Sequence, residues 1–290
     1  MKKFIILIPV YNDWKSVFKL LEEIDIQINS WEADISIFLI NDSSTEEKLK
    51  FQSDLKKLKS INIINLKKNL GHARCYATGL KFISEKEKFD YVILMDADGE
   101  DRPEELGLFL EKLKNFPNQS VTADRIKRSE GLFFRLCYII HKYLTFFFTG
   151  HLIKFGNFSC LTKNTVDELV KNSSTWLSYS GSLTKIGKEK NSVPSIRGSR
   201  YFGPSKMSFF NLVIHSLSII SVFKKTVFLR SIAFLIIYSL LVYKALSFIT
   251  LIPFFIVLPV LISTILLSEN ESLDELNNSL NNISNIEKLK

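Results

Sequence analysis

A cluster of acidic residues directly follows a short apolar segment near the middle of the 290-residue chain. Residues 91–95 are apolar, and Asp96, Asp98, Glu100 and Asp101 come immediately after them. Carboxylates this close repel one another unless a cation or a helix N-terminus compensates. Their oxygens suit Mg²⁺ or Mn²⁺, which bind one or two carboxylates together with substrate phosphates. The pattern therefore predicts a divalent-cation site, with a solvated acidic turn as the alternative.

The residues after this cluster predict the start of a helix. Asp101 and Glu104 have capping-box spacing, Pro103 suits the first helical turn, and apolar residues recur from Leu106 to Leu113. Asp101 is therefore expected to cap this helix. Asp96, Asp98 and Glu100 remain as the candidates for chemistry.

Four short apolar segments predict strands that are buried on both faces. They are residues 4–10, 35–40, 61–66 and 91–95. Helical patterns follow Asp13, Ser43 (with Glu46 at capping-box spacing) and Gly71. This alternation predicts an α/β fold with a doubly wound, mostly parallel sheet and right-handed crossovers.

The carboxyl ends of the four predicted strands should meet at one edge of the sheet, where ligands bind in open α/β folds. The segments that follow them are 9–13, 41–44, 69–72 and 96–101. Asp42 could accept hydrogen bonds from a nucleobase or ribose there, or it could cap a helix. The sequence has no Gly-x-Gly-x-x-Gly or P-loop lysine motif, which disfavours dinucleotide oxidoreductases and P-loop enzymes.

The C-terminal part of the chain is strongly apolar. Residues 228–246 and 248–267 are each close to the roughly 20 residues needed to cross a bilayer. We expect a catalytic domain over residues 1–225, a transmembrane hairpin over 226–268, and an acidic, Asn-rich cytosolic tail over 269–290 that is mobile or weakly helical. Lys224, Lys225 and Arg230 would lie on the cytosolic side. The alternative is a buried helical pair in a soluble core.

Two aromatic and amphipathic segments, at about 131–149 and 208–223, predict helices in the membrane interface, with packing on the sheet as the alternative. Such helices could also pair between subunits of a homo-oligomer. The net charge of +8, combined with apolar spans, favours a membrane surface. No nucleic acid partner is expected, because no recognised nucleic-acid-binding module accompanies the charge. Three cysteines without metal-type spacing favour a reducing compartment, so we expect a multi-pass protein of the cytoplasmic membrane with its catalytic domain in the cytosol.

Taken in order, these motifs resemble the family-2 glycosyltransferases, which have the GT-A nucleotide-diphospho-sugar transferase fold. Residues 8–12 resemble the family's opening strand, 41–44 its base-binding turn, 69–71 its third signature and 96–98 its metal motif. Residues 96–103 and 200–206 are similar to those of polyprenyl-phosphate sugar transferases, including the dolichyl-phosphate mannose synthases and bactoprenol glucosyltransferases. The resemblance runs from about residue 4 to residue 230.

The resemblance implies a nucleotide-diphosphate sugar donor, with uridine as its base, and a site residue by residue. Asp96 would lie near the ribose or sugar as a catalytic residue, and Asp98 with Glu100 would hold Mg²⁺ or Mn²⁺ against the diphosphate. The family commonly has Gln at the position of Glu100. The nucleotide-sugar residues would be Pro9, Tyr11, Asn12, Asp42, Asn69 and Gly71. The acceptor phosphate would contact Arg125, Arg135, Arg200, Ser205 and Lys206, although residues 200–206 could instead form a solvated basic loop.

The acceptor can be inferred from an acid that is missing. Family members that glycosylate a hydroxyl often carry an acidic general base after the metal motif, whereas the corresponding residues 175–181 contain no acid. A lipid phosphate is already ionised and needs no such base. The resemblance therefore implies inverting transfer to a polyprenyl phosphate such as undecaprenyl phosphate, for cell-surface glycan or lipopolysaccharide modification. The alternatives are extension of a lipid-linked glycan at a hydroxyl and an inactive membrane-anchored scaffold.

Overall fold

The computed structural model describes residues 1–48, 51, 54–127, 132–204 and 208–290, with only the backbone at 127 and 132–135. The strands within these ranges are β1 (Lys2–Val10), β2 (Ala33–Asn41), β3 (Ser60–Leu66), β4 (Tyr91–Leu94), β5 (Ser120–Lys127), β6 (Phe155–Thr162), β7 (Lys190–Ile196) and β8 (Ile283–Lys288). The α-helices are α1 (Trp14–Gln27), α2 (His72–Lys86), α3 (Leu106–Asn115), α4 (Leu132–Thr149), α5 (Lys163–Leu169), α6 (Tyr179–Ile186), α7 (Phe209–Ser221), α8 (Lys224–Val242), α9 (Phe248–Ser268) and α10 (Leu273–Asn277). Short 3₁₀ helices cover Pro103–Glu105, Ser173–Trp176 and Ser279–Asn282.

These strands form one mixed sheet in the order β7-β5-β6-β4-β1-β2-β3-β8. The four predicted strands, β1 to β4, are confirmed and pair in parallel. Strand β6 runs antiparallel to β4 and β5, while β7 runs parallel to β5. The parallel part supplies the edge at which the sequence motifs meet, and the mixed part extends the sheet beyond the acidic turn.

Helices cover both faces of the sheet, as the doubly wound pattern predicts. On one face, α1 and α3 pack their apolar sides against β1, β2 and β4. On the other face, α2, α5 and α6 do the same with Tyr76, Val166 and Leu183 among the buried side chains. The alternating sides of β1 therefore enter two separate cores, which explains its continuous apolar sequence.

The helix predicted after Ser43 is wrong for the part of the β2–β3 connection that the structure describes. Ser43 has a left-handed backbone with φ of 57°. The carboxylate of Asp25 accepts hydrogen bonds from three successive backbone N–H groups at residues 56–58. Contacts from α1 thus satisfy groups that a helix would otherwise pair internally, and residues 49–50 and 52–53 lie outside the described residues.

The C-terminal tail is ordered, contrary to the expectation of a mobile or weakly helical segment. After α9 the chain forms α10 and then β8, which pairs antiparallel with β3 and is the last strand at that side of the sheet. Glu271 lies 2.7 Å from Ser173 Oγ, 3.1 Å from Lys224 Nζ and 3.5 Å from Lys185 Nζ. The tail is thereby attached to the segment 173–185 and to the start of α8.

Helices α8 and α9 are both long and apolar enough to cross a membrane, and only 11% and 17% of their apolar windows are buried. Exposure this extensive disfavours a buried helical pair in a soluble core. Helices α4 and α7 contribute Phe148 and Ile220 to an apolar cluster with Val227 of α8 and Val257 of α9. The amphipathic helices therefore pack against the candidate hairpin.

Arg230 joins α8 to α4. Its Nη1 atom donates to the carbonyl oxygens of Phe146 and Phe147, at 3.3 and 3.0 Å, at the C-terminus of α4. Phe146 O also accepts from the backbone N of Gly150 at 2.8 Å, and an arginine is well suited to cap the last carbonyls of a helix. Gly150 follows with φ of 79°, and a Cβ there would come within 2.7 Å of the guanidinium.

Candidate active site

The ends of β1 and β2 are connected by a network around Asn12. Its backbone N donates to Ser44 Oγ at 3.0 Å, and its Oδ1 accepts from the backbone N of Thr45 and Glu46 at 2.8 and 3.1 Å. Asn12 itself has a left-handed backbone with φ of 50°. Its neighbour Tyr11 is 44% exposed at the same edge. The two predicted nucleotide-binding segments are therefore physically connected, with an aromatic ring presented beside them.

Asp42 connects this network to the end of β3. The side chain is buried, and its two oxygens accept from the backbone N of Leu70 at 2.6 Å and of Gly71 at 2.9 Å. Gly71 has φ of 87°, a conformation that favours glycine. Asp42 therefore stabilises the turn before α2, and Asn69 is exposed beside it. Pro9 is buried within β1, so it contributes to the frame of this edge.

Asp96 is the centre of a polar cluster between α2 and β6. Its Oδ1 atom accepts from Tyr76 Oη at 2.8 Å and lies 3.0 Å from His72 Nε2 and 3.4 Å from Asn157 Nδ2. Burial alone would raise the pKa of Asp96, but the neighbouring His72 and Arg125 hold it well below its usual value. Burial opposes protonation of His72, whereas the Asp96 carboxylate raises the pKa of that imidazole. Asp96 is therefore an ionised group at neutral pH.

Asp98 and Glu100 each contact an arginine from the loop after β7. Arg200 bridges Asp98 and Asp13, with Nη1 2.5 Å from Asp98 Oδ2 and Nη2 2.8 Å from Asp13 Oδ2. Arg197 pairs with Glu100. Backbone bonds also tie the loop to the acidic turn, because Tyr201 N donates to the Asp98 carbonyl at 2.9 Å. The acidic turn and the basic loop therefore form one site.

The donor chemistry of this turn fits Mg²⁺ or Mn²⁺. Burial, with the charges of Asp96 and Glu100, raises the pKa of Asp98 to about 6, so a nearby cation would favour its ionised form. Among the described residues, no group of three or more His, Cys, Asp or Glu side chains is arranged to hold a metal ion. A cation at Asp98 and Glu100 would therefore need oxygen atoms from its substrate, as Mg²⁺ sites commonly do.

The prediction that Asp101 caps the next helix is wrong. The carboxylate turns inward, is 4% exposed, and accepts from the backbone N of Asp96 at 3.0 Å. Arg125 Nη2 lies 3.9 Å away. Burial and the charge of Asp96 raise the pKa of Asp101 to about 7. Asp101 therefore shapes the acidic turn, and the 3₁₀ helix begins without a side-chain cap.

A cavity of about 410 Å³ extends from Asp96 towards the candidate hairpin. His72, Arg125 and Arg197 line its polar end, together with Asp96. Most of the remaining lining from α4, α7 and α9 is apolar, with His141 and His215 among the exceptions; the apolar residues are Ile140, Leu144, Phe209, Leu212, Val213, Ile219, Ile220 and Val260. Such a cavity combines anion-binding groups at one end with an apolar surface at the other.

The residues predicted to bind the acceptor phosphate have separate locations. Arg125 lines the polar end of the cavity, whereas Arg200 contacts Asp13 and Asp98 instead. Arg135 lies in α4, but its side chain is outside the described residues, as are Ser205 and Lys206. Of the two predicted residues whose side chains the structure describes, Arg125 thus lines the cavity and Arg200 does not, and Arg197 lines it as well.

Several residues of the site were not predicted from the sequence. Tyr76 and Asn157 contact Asp96, and His141 and His215 line the cavity. Burial, with positive charge from His72 and His141, lowers the pKa of His215 to about 4, so this imidazole is neutral at pH 7. The i to i+4 spacing of His72 and Tyr76 was the one local signal, because such residues share a helix face.

Comparisons with known proteins agree with this geometry. The profile of "Glycosyl transferase family 2" matches residues 5–165, more than half of the chain. Undecaprenyl-phosphate 4-deoxy-4-formamido-L-arabinose transferase of Klebsiella pneumoniae strain 342 is 23% identical over 221 residues, covering 73% of this chain and 65% of that protein. The enzyme of the same name from Salmonella choleraesuis is 24% identical with the same coverage. A protein of Methanocaldococcus jannaschii is 26% identical over 113 residues, 38% of this chain and 47% of its own length. The chain thus spans about half to two thirds of the length of these curated relatives.

Solved structures share the fold. Glucosyl-3-phosphoglycerate synthase from Mycobacterium tuberculosis, in complex with Mn²⁺, UDP-glucose and phosphoglyceric acid, has a TM-score of 0.56 at 11% identity, covering 78% of this chain and 80% of that one. Mannosyl-3-phosphoglycerate synthase from Rubrobacter xylanophilus has a TM-score of 0.52 at 12% identity, covering 76% and 72%. The sheet is of the GT-A type, and the chain belongs to glycosyl transferase family 2.

Proposed function

We propose that this protein is a membrane-anchored, metal-dependent glycosyltransferase that moves a sugar from a nucleoside-diphosphate donor, with uridine as the base, to a polyprenyl phosphate. The observation that carries the proposal is the cavity of about 410 Å³, which joins the Asp96 cluster to apolar helices next to the candidate hairpin. A phosphate with a long hydrocarbon tail matches both ends of this cavity. The undecaprenyl-phosphate transferases among the relatives support the same acceptor class.

The donor nucleoside binds at the edge formed by Tyr11, Asn12, Asp42 and the turn at Gly71. Tyr11 and Asn69 are exposed there and available for contact. Asn12 and Asp42 act through hydrogen bonds that hold the neighbouring turns. The sugar then lies towards Asp96, between the nucleotide edge and the cavity.

Arg125 and Arg197 receive the acceptor phosphate at the polar end of the cavity. Guanidinium groups bind phosphate through paired, charge-assisted hydrogen bonds. The phosphate oxygen attacks the anomeric carbon with inversion, and the bond from that carbon to the nucleoside diphosphate breaks. No proton has to be removed from the acceptor, which is consistent with Asp96 being the one carboxylate among the described lining residues.

Asp98 and Glu100 would hold the divalent cation, which stabilises charge on the departing diphosphate. Arg200 and Arg197 pair with these carboxylates. Arg200 and Arg197 are therefore placed to exchange their carboxylate partners for phosphate oxygens when donor and cation bind. Ser205 and Lys206, which follow in the sequence, are proposed to contact the acceptor phosphate, as is Arg135 of α4.

The cavity is proposed to lie at the cytosolic surface of the membrane, and the apolar hairpin and the exposed faces of α4 and α7 support this location. Exposed side chains on α4 include Leu136, Tyr143 and Phe147, and those on α7 include Phe209 and Phe210. The sheet contains both the catalytic strands and β8, which follows the hairpin. Two membrane crossings, one by each helix of the hairpin, are consistent with this arrangement, because an even number of crossings returns the tail to the side of the membrane that holds the catalytic domain.

An acceptor competition tests the proposal. The 290-residue chain in nanodiscs receives Mg²⁺ and a panel of nucleotide sugars, and released nucleoside diphosphate is measured with undecaprenyl phosphate or with a soluble sugar acceptor. We expect release that depends on the lipid phosphate. If the soluble sugar stimulates release of nucleoside diphosphate and undecaprenyl phosphate does not, the result would instead support transfer to a hydroxyl.

A further inference from the structure

Glu287 lies on β8, which follows the candidate hairpin in the sequence. This strand brings Glu287 close to the sheet edge that is proposed to bind the nucleotide. Glu287 faces Ile63 in the antiparallel register. Its side chain reaches the diagonal neighbour Asn65, whose Nδ2 donates to Glu287 Oε1 at 2.8 Å. Diagonal neighbours on one face of a sheet are within reach of such long side chains. The contact joins residues 222 positions apart in the chain.

The hydrogen bonds continue from Asn65 to the turn after β2. Asn41 Nδ2 donates to Asn65 Oδ1 at 2.7 Å, and Asn41 Oδ1 accepts from the backbone N of Ser44 at 3.0 Å. Ser44 Oγ accepts in turn from the backbone N of Asn12. An unbroken series of hydrogen bonds therefore connects Glu287 to the segments on both sides of Asp42.

The Glu287 carboxylate determines which group donates and which accepts in each hydrogen bond of this series. A carboxylate only accepts hydrogen bonds, whereas an asparagine amide has a donor end and an acceptor end. Glu287 therefore fixes the amide of Asn65 with its nitrogen towards β8, which fixes Asn41 with its oxygen towards Ser44. A hydrogen bond from Lys48 lowers the pKa of Glu287, so its side chain is ionised at neutral pH.

The turn at the end of this series needs such support. Ser43 has φ of 57° and Asn12 has φ of 50°, and left-handed backbone in residues other than glycine is strained. The side-chain oxygens of Asn41 and Asn12 accept from the backbone N of Ser44 and of Thr45, the two residues that follow Ser43. Without these hydrogen bonds, the turn could relax away from the geometry that presents the nucleotide edge.

We propose that Glu287 is a positioning residue for the nucleoside-diphosphate site, acting through Asn65 and Asn41 on the turn between Asp42 and Thr45. The inference rests on the proposed donor site. It gives the tail a part in donor binding, although it is separated from the catalytic strands by two candidate membrane helices.

The test measures UDP binding to the 290-residue chain in detergent with Mn²⁺ by isothermal titration calorimetry. Glu287→Ala should weaken UDP binding by about three- to tenfold, the size expected for one hydrogen bond. Glu287→Gln retains the accepting oxygen and should recover most of the affinity. Lys288→Gln, exposed on the opposite face of the same strand, should bind UDP like the unchanged protein.

A double-mutant cycle distinguishes an effect transmitted through the hydrogen bonds of Asn65 and Asn41 from a general destabilisation of β8. Asn65→Ala should weaken UDP binding about as much as Glu287→Ala, and the double variant should add little, because both changes break one series. The donor KM should rise in each variant while the KM for undecaprenyl phosphate is unchanged. Fully additive losses, or unchanged UDP affinity in Glu287→Ala, would overturn the inference while leaving the proposed function intact. Failure of the unchanged protein to bind any nucleoside diphosphate would overturn both.

Discussion

The guanidinium of Arg200 lies 2.5 Å from the carboxylate of Asp98, and 102 residues separate the two in the chain. The same guanidinium contacts Asp13 at 2.8 Å. A basic side chain thus neutralises the acidic turn at the point where the proposed cation would bind. The charges of the loop after β7 and of the acidic turn at Asp98 therefore influence each other directly.

Removing the guanidinium should increase affinity for the cation. Arg200→Gln leaves Asp98 without its counter-charge, so Mn²⁺ added without nucleotide should bind several-fold more tightly by electron paramagnetic resonance titration. Lys114→Gln removes one exposed positive charge on α3 and serves as the control for net charge. Unchanged or weaker Mn²⁺ binding in Arg200→Gln would show that Arg200 does not compete with the cation.

Loss of the Asp98 carboxylate should remove turnover while preserving the fold. Asp98→Asn keeps the size of the side chain, and an amide is a poor ligand for a cation beside a diphosphate. We expect kcat to fall by roughly 10²-fold or more, the scale of a lost electrostatic contact in a transition state. Thermal unfolding should change little, because burial already disfavours the ionised form and raises the pKa of Asp98 to about 6. Turnover close to that of the unchanged protein would remove Asp98 from the mechanism.

Arg230 should determine how well the acceptor lipid binds. Arg230→Met retains an apolar stem and removes the bonds to the last carbonyls of α4. Because α4 forms one wall of the cavity, the KM for undecaprenyl phosphate should rise by roughly three- to tenfold, as for one or two lost hydrogen bonds. The donor KM should be unchanged. Lys225→Met, exposed one turn earlier on α8, is the control, and equal effects in both variants would contradict a specific role for Arg230.

Attachment of the tail should depend on pH through Glu271. Burial raises the pKa of Glu271, but hydrogen bonds from Ser173 and Lys224 lower it overall. A lowered pKa in the folded state means that the stabilisation is complete above the ordinary glutamate value and is lost as pH falls through the folded value. The protection factors of residues 273–288, in which exchange rates are corrected for the intrinsic effect of pH, should therefore fall in acid.

A substitution reproduces this change at neutral pH. Glu271→Gln should accelerate exchange of the tail at pH 7, because the Lys224 and Lys185 ion pairs are lost. Glu269→Gln, at an exposed position two residues earlier, should leave exchange unchanged. Protection of the tail that is independent of both pH and Glu271 would contradict the prediction.

The strands that could be predicted from the sequence were those buried on both faces. Strands β1 to β4 each contain a continuous or nearly continuous apolar segment because helices cover them above and below. Strand β8 is polar and exposed at the sheet edge, so its sequence has no comparable pattern. Its place depends on pairing with β3, more than 200 residues away, and local spacing does not report such pairing.

For the site residues, too, some features could be predicted from the sequence and others could not. The order of motifs along the chain predicted which strand ends would meet, and the structure places Asn12, Asp42 and Gly71 together. The partners of individual carboxylates were not predictable. Asp101 has the spacing of a helix cap but turns into the site, because burial and the backbone N of Asp96 determine its position.

The most direct test of the central claim is the mass of the lipid product. The 290-residue chain in nanodiscs would be incubated with undecaprenyl phosphate, Mg²⁺ and a panel of UDP-sugars, and the extracted lipid would be weighed by mass spectrometry. The account predicts undecaprenyl phosphate heavier by one sugar residue for at least one donor, and no such product with Asp98→Asn. Undecaprenyl phosphate that stays unmodified with every UDP-sugar would contradict it.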